Sequence, residues 1–205
     1  EALKRPHVYS TVPIWPKEGT LAERLKKAGY YTMAIPYAGK NHFFKRGIGF
    51  ERGFDDYEDL TLRDWKGRTS KRIVKLAVKK LRRAFRQKKP WFMWLHFFDP
   101  HQWRAGRTHY QHLIKYTDDS IGKLLKWIEK HHDMENTIVA LVSDHGEAFG
   151  EHGHKRHASS LYEEQIRIPM ILRVPKLRPR AVHMPVAAID LTRTLLTLAG
   201  ASTDK

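Results

Sequence analysis

Two runs of the chain, "WFMWLHFF" (Trp91 to Phe98) and "TIVALVS" (Thr137 to Ser143), are apolar or aromatic at nearly every position rather than at every second one. A strand presents alternate side chains to opposite faces, so a strand apolar on both faces belongs between two layers of structure. The segments around them fit that demand. Thr20 and Glu23 have the form of a capping box opening a helix that stops near Gly29, and "YYTMAI" (Tyr30 to Ile35) follows as a strand. A helix is expected from about His109 to His132, Ser160 and Glu163 suggest a second capping box, "IPMILRV" is strand-like, and "AAIDLTRTLLTLAG" reads as a helix stopped by Gly200. Strands and helices alternate along nearly the whole chain, which predicts an α/β fold with a mostly parallel sheet and helices on both faces. A length of 205 residues makes one domain the default.

In folds of this class, ligands bind beyond the carboxyl ends of the strands. Both apolar runs end in an acid and a histidine: Asp99-Pro100-His101 after the first, Asp144-His145-Gly146 after the second. Asp144 and His145 offer an oxygen and a nitrogen donor where the chain leaves the sheet, and Gly146 lets it turn. Asp99 and His101, two apart, could share one side of an extended chain. Blander readings stand beside these. An aspartate after a strand is often a helix cap, and His96 within an aromatic strand reads as a packed side chain. Glu147 and Glu151, four apart, could begin a helical turn. His152, His154 and His157 could be a polar loop, because their spacings match no standard zinc motif.

The charge is uneven. Of the net +16, the segment from Arg63 to Lys89 supplies +12, with 13 Lys or Arg against the single acid Asp64. Ile73, Val74, Ala77, Leu81, Ala84 and Phe85 recur in it at helical spacing, so it is a cationic amphipathic helix. It is either a docked helix with a solvated basic face or a surface for a polyanion or an anionic membrane. The lack of zinc-finger spacing, RNP-like motifs and Gly-rich clamps argues against nucleic acid. The chain has no cysteine, which excludes disulfides and thiolate metal sites. Its compartment is not assigned by these features, although a periplasmic, secreted or membrane-associated setting is compatible with the resemblance described next.

The ordered blocks "TLAERLKKAGYYT", "GFERGFDDYED", "WFMWLHFFDPHQW", "VALVSDHGEAFGEHGH" and "SLYEEQIRIPMILRVP" resemble those of bacterial sulfatases of the alkaline phosphatase superfamily. The resemblance runs from about Val12 to Gly200 and implies a metal-dependent hydrolase of sulfate monoesters. A phosphoester or phosphonate hydrolase, or a phosphoryl-group transferase, is the alternative on the same fold. It further implies that Asp144 and His145 ligate a divalent ion, with calcium favoured and manganese or zinc as alternatives. His101 matches a histidine that contacts the sulfate and assists the chemistry. His157 matches the basic residue that binds sulfate or protonates the leaving oxygen, with Lys155 as its competitor. Lys40 and His42, in "GKNH", are substrate-binding candidates. The implied substrate is a sulfated small molecule or glycan.

The sequence departs from that family pattern in one large respect. Paired metal-binding aspartates and a Cys-or-Ser-x-Pro-x-Arg nucleophile motif, the source of a formylglycine, do not occur in it, and "TVPIW" (Thr11 to Trp15) lacks the arginine. The expectation is therefore a piece that lacks its nucleophile segment, is inactive alone, and has that segment as a partner. A rival of another class is a non-catalytic polyanion-binding or membrane-surface module that works through the basic helix at 63–89.

Overall fold

Helix α1 (Leu21–Lys27) begins where the sequence places it. Thr20 Oγ1 accepts from the Glu23 amide at 3.1 Å, and Glu23 Oε2 accepts from the Thr20 amide at 2.7 Å, so two of the helix's orphan donors are satisfied reciprocally. The computed structural model describes residues 19–39, 44–61, 68–132 and 134–201. Lys40, His42 and the "TVPIW" segment lie outside the described residues. The backbone divides into two compact units, one of residues 1–99 with 195–205 and one of residues 100–194.

In the first unit α1 is followed by β1 (Tyr31–Ile35), β2 (Tyr37–Gly39), β3 (Asp56–Tyr57), β4 (Leu60–Thr61), α2 (Ser70–Ala84) and β5 (Trp91–Leu95). Strands run in the order β3-β1-β5 with both pairings parallel, and β2 pairs in parallel with β4. β1 is the buried centre. Thr32, Met33, Ala34 and Ile35 are wholly removed from solvent, as a middle strand with helices packed on it must be. α1 comes so close to the following loop that a Cβ on Gly53 would lie 2.2 Å from the Glu23 amide nitrogen, which leaves glycine as the only fit there.

The expected basic helix forms as α2, and Ile73, Ala77, Leu81 and Ala84 make its buried stripe. One of its cations is not solvated. Lys80 is buried, bonded to Asp56 and 3.1 Å from Glu58. The start of α2 is capped from a distance. Asp99 Oδ1 accepts from the Thr69 amide (2.6 Å) and hydroxyl (2.9 Å), and Oδ2 from the Ser70 amide (2.8 Å) and hydroxyl (2.5 Å). A buried carboxylate thus meets the positive end of the helix and satisfies its first amides.

The second unit holds α3 (Gly106–His131), β6 (Val139–Val142), β7 (Ala148–Phe149), β8 (Lys155–Arg156), α4 (Glu163–Ile166) and β9 (Met170–Arg173), and the unit boundary falls within α5 (Ala188–Leu198). β6 pairs with β9 and β7 with β8, both antiparallel. Ser160 does not cap α4, whose N-cap is Tyr162. The two runs that opened the sequence argument are less covered than expected. β5 is half-buried along its length, and β6 alternates between half-buried and exposed, with Ile171 of β9 also open to solvent. No helix among the described residues is long and apolar enough to cross a membrane.

Candidate active site

The turn after β6 is built by close backbone contact. The Gly146 amide donates to the Gln165 carbonyl at 2.8 Å, and a Cβ on Gly146 would lie 2.3 Å from the Glu164 carbonyl oxygen. Only glycine lets the turn press against α4 in this way. Ser143 Oγ donates to the His145 carbonyl at 2.7 Å, which ties the turn across its mouth. His145 Nδ1 lies 2.7 Å from the Gly146 carbonyl oxygen. A carbonyl can only accept, so Nδ1 carries the hydrogen, and in the neutral ring the lone pair is then on Nε2.

His157 follows β8 and is oriented by Glu147. Its Nδ1 is 3.3 Å and 3.4 Å from the two carboxylate oxygens, and Trp103 Nε1 donates to Glu147 Oε2 at 2.8 Å. The Glu147 side chain is only 4% exposed, so this acid is internal wiring between an indole and an imidazole. Of the two acids read as the start of a helical turn, Glu151 opens the 3₁₀ turn Glu151–Gly153 and bonds Arg107, whereas Glu147 is separated from it by β7. No sequence signal marks Glu147, whose indole partner is 44 positions away.

His101 lies in a short 3₁₀ turn, Asp99–Gln102, not on extended chain. Its ring centroid is 5.1 Å from that of His157, which in turn stacks on His145 at 3.8 Å with planes 27° apart. Donor atoms of His101, His145 and His157 all lie within 4.8 Å of one another. Loss of solvent contact pushes the His101 pKa below the ordinary imidazole value; neighbouring His157 and His145, and Arg156, push the same way, and Glu147 opposes them. Arg156, which the sequence reading passed over, places its guanidinium 5.1 Å from the Trp103 ring centre.

The other candidates fall differently. The Asp144 side chain is 77% exposed; its Oδ1 accepts from the His145 amide at 3.0 Å and is 3.7 Å from His145 Nε2. Lys155 is exposed on β8, opposite Phe149. His152 bonds Glu164 at 2.9 Å and stacks on Tyr162 at 3.9 Å, which makes it part of the loop's own packing. Asp99, the acid partner expected for His101, is spent on the cap of α2.

A model of the sulfatase family matches residues 3–201. The chain belongs to the sulfatase family. The bovine N-acetylglucosamine-6-sulfatase is 35% identical over 102 residues, which are 49% of this chain and 18% of that protein. A structure solved in complex with its substrate D-glucosamine-2-N,6-O-disulfate matches with a TM-score of 0.66 at 18% identity, covering 95% of this chain and 63% of the other. A phosphonate monoester hydrolase from Silicibacter pomeroyi matches with a TM-score of 0.68 at 15% identity, covering 93% of this chain and 59% of the other. The aligned stretches make up 17–20% of the first curated relatives, so this sulfatase chain spans a minor part of their length. The α/β architecture expected from the sequence is the one these structures share.

Proposed function

We propose that this sulfatase chain supplies the oxyanion-facing part of a sulfuric ester hydrolase, with the convergence of His101, His145 and His157 as the observation that carries the reading. Sulfate monoester cleavage develops negative charge on oxygen, and fixed donors aimed at it lower the barrier. His157 is the sulfate contact, held by Glu147 through Nδ1, which leaves Nε2 as its other polar atom. Lys155, its competitor, is exposed on β8. His101 is the acid for the leaving oxygen. Its low pKa is set partly by repulsion from two imidazoles, so an arriving anion offsets that repulsion and brings the proton with it.

Asp144 and His145 fit two positions of a divalent ion's shell, being an oxygen and a nitrogen donor 3.7 Å apart with the carboxylate open to solvent. A bound ion would supply positive charge to a sulfate oxygen. Asp144 suits calcium, and the imidazole suits manganese or zinc. Lys40 and His42 are carried as further substrate contacts. The nucleophile is assigned to none of the described residues. Exposed Val142 and Ile171 on the β6–β9 pair support a further polypeptide segment as partner. The likeness to a structure solved with D-glucosamine-2-N,6-O-disulfate supports a sulfated glycan or small molecule as substrate.

The test is oxyanion binding followed through the histidine rings by NMR, with sulfate and with a phosphonate monoester as probes. Sulfate should shift the His101 and His157 resonances and be taken up with a proton, and His101→Ala and His157→Ala should each weaken it about tenfold, about 1.4 kcal/mol. Binding that ignores both substitutions would defeat the reading. Tighter binding of the phosphonate would favour phosphoryl chemistry, which the likeness to the phosphonate monoester hydrolase keeps open at the level of fold.

A further inference from the structure

We infer that His101, His145 and His157 together form an all-nitrogen site for a zinc-class transition metal ion, chemically distinct from the mixed oxygen and nitrogen pair at Asp144 and His145, and that filling it takes His101 and His157 away from the oxyanion. The metal site goes beyond the proposed hydrolase function and does not depend on it; its effect on the oxyanion rests on that reading. It rests on three properties of the cluster.

First, the donor atoms are already gathered within 4.8 Å. In a tetrahedral zinc site with Zn–N near 2.0–2.1 Å, neighbouring nitrogens are about 3.3 Å apart, so side-chain rotations closing at most about 1.5 Å complete the shell. Second, two of the three rings are set in the ligating tautomer. His145 gives its Nδ1 hydrogen to the Gly146 carbonyl, and His157 turns its Nδ1 to the Glu147 carboxylate. Both leave Nε2 as the free donor. A ring hydrogen given to a carbonyl or a carboxylate is the usual outer support of a zinc-bound histidine, because it fixes the ring and raises its basicity. Glu147 is itself anchored by Trp103 and nearly closed to solvent, so it is a rigid support.

Third, three imidazoles and no carboxylate in the cluster select against calcium and magnesium, which take oxygen, and for zinc, cobalt or nickel. Three protein ligands leave a fourth position for water. His145 belongs to both donor sets, so a zinc-class ion draws it away from Asp144. His101 and His157 cannot ligate a metal through the same nitrogens with which they would donate to an oxyanion. Zinc occupancy therefore ends the histidine contacts to sulfate, and an oxyanion then binds only to the ion, at its fourth position.

The test is titration of the metal-free chain with zinc by calorimetry and with cobalt(II) by visible absorption. One ion should bind per chain, with the intense cobalt bands of a four-coordinate site. His101→Gln, His145→Gln and His157→Gln should each cut zinc affinity at least about tenfold, and Glu147→Gln about 10–100-fold. Circular dichroism should report an unchanged fold in each variant used. Asp144→Ala should leave zinc affinity within about twofold, and saturating zinc should abolish the proton uptake that accompanies sulfate binding. Undiminished binding in the His145 and His157 variants would mean adventitious capture by other histidines and overturns the site. Equal dependence on Asp144 would put the ion in the mixed shell and overturns it as well. Proton uptake on sulfate binding that persists at saturating zinc would overturn the use of those nitrogens by the metal. Sulfate binding measured without metal reports on the hydrolase reading alone, so the two proposals fail separately.

Discussion

Asp99 and Asp144 stand at corresponding places, each in the polar segment that follows an apolar strand, and each beside a histidine of interest. The molecule uses them in opposite ways. Asp99 is fully buried, and both of its oxygens are saturated by the amides and hydroxyls of Thr69 and Ser70. Asp144 projects into solvent, with one oxygen on its neighbour's amide. Strand-end position says that an aspartate is in the right region for a site. Whether its oxygens remain available depends on which other backbone reaches them, and α2 reaches Asp99.

The largest effect that sharpens this contrast is expected at Asp99. Asp99→Ala strands two buried amides at the start of α2, and with partial rescue by the hydroxyls it should destabilise its unit by about 3–5 kcal/mol in urea unfolding. Asp99→Asn, which keeps one acceptor, should cost less. A change below about 1 kcal/mol for the alanine variant would mean that the cap is replaceable and would erase the contrast. Next in size is Glu147, where removing a buried carboxylate that serves both Trp103 and His157 should cost about 2 kcal/mol. Trp103 fluorescence should change in Glu147→Ala, because the indole loses its acceptor.

Much of the fold could be read from local pattern. The Thr20–Glu23 box, β1 and α3 depend on residues close in sequence, and so they appear within a few positions of where the pattern puts them. The burial of individual strands was less legible. An apolar run shows that a strand can be covered on both faces, yet of β1, β5 and β6 among the described residues β1 alone is, since burial depends on which elements pack there. Three of the histidines singled out by sequence, His101, His145 and His157, come together in space, from positions up to 56 residues apart by their numbering. What stayed hidden is what holds and charges them: Glu147 through Trp103, and Arg156 beside them, both set by long-range contacts that no spacing rule encodes. The same limit applies to Lys80, which reads as one more cation of a basic face and is instead locked to Asp56 and Glu58.

A smaller effect is expected from pH. Burial first, then the charges of His157, His145 and Arg156, outweigh Glu147 and lower the His101 pKa beneath the ordinary 6.5. Between that value and the folded one the unfolded chain holds more protons than the folded chain, so stability is full above pH 6.5 and declines as the pH falls through this window. Urea midpoints in metal-free buffer should therefore drop on mild acidification, and His101→Gln should flatten that slope. An NMR titration midpoint for His101 at or above 6.5 would show that the cluster does not repel the proton.

The smallest stability change is expected at Asp144, and it is the one that separates structural from functional use of a strand-end acid. Asp144→Ala removes a largely exposed side chain, so unfolding should move by no more than about 0.5 kcal/mol. The same substitution should abolish binding of a calcium-class ion, because it deletes the only carboxylate of the mixed pair. A stable variant that no longer takes calcium places Asp144 opposite Asp99, whose loss unfolds the unit without reporting on any ligand. If Asp144→Ala instead unfolds the chain, its exposed carboxylate must be supporting the turn through the His145 amide, and the two aspartates would then differ in degree and not in kind.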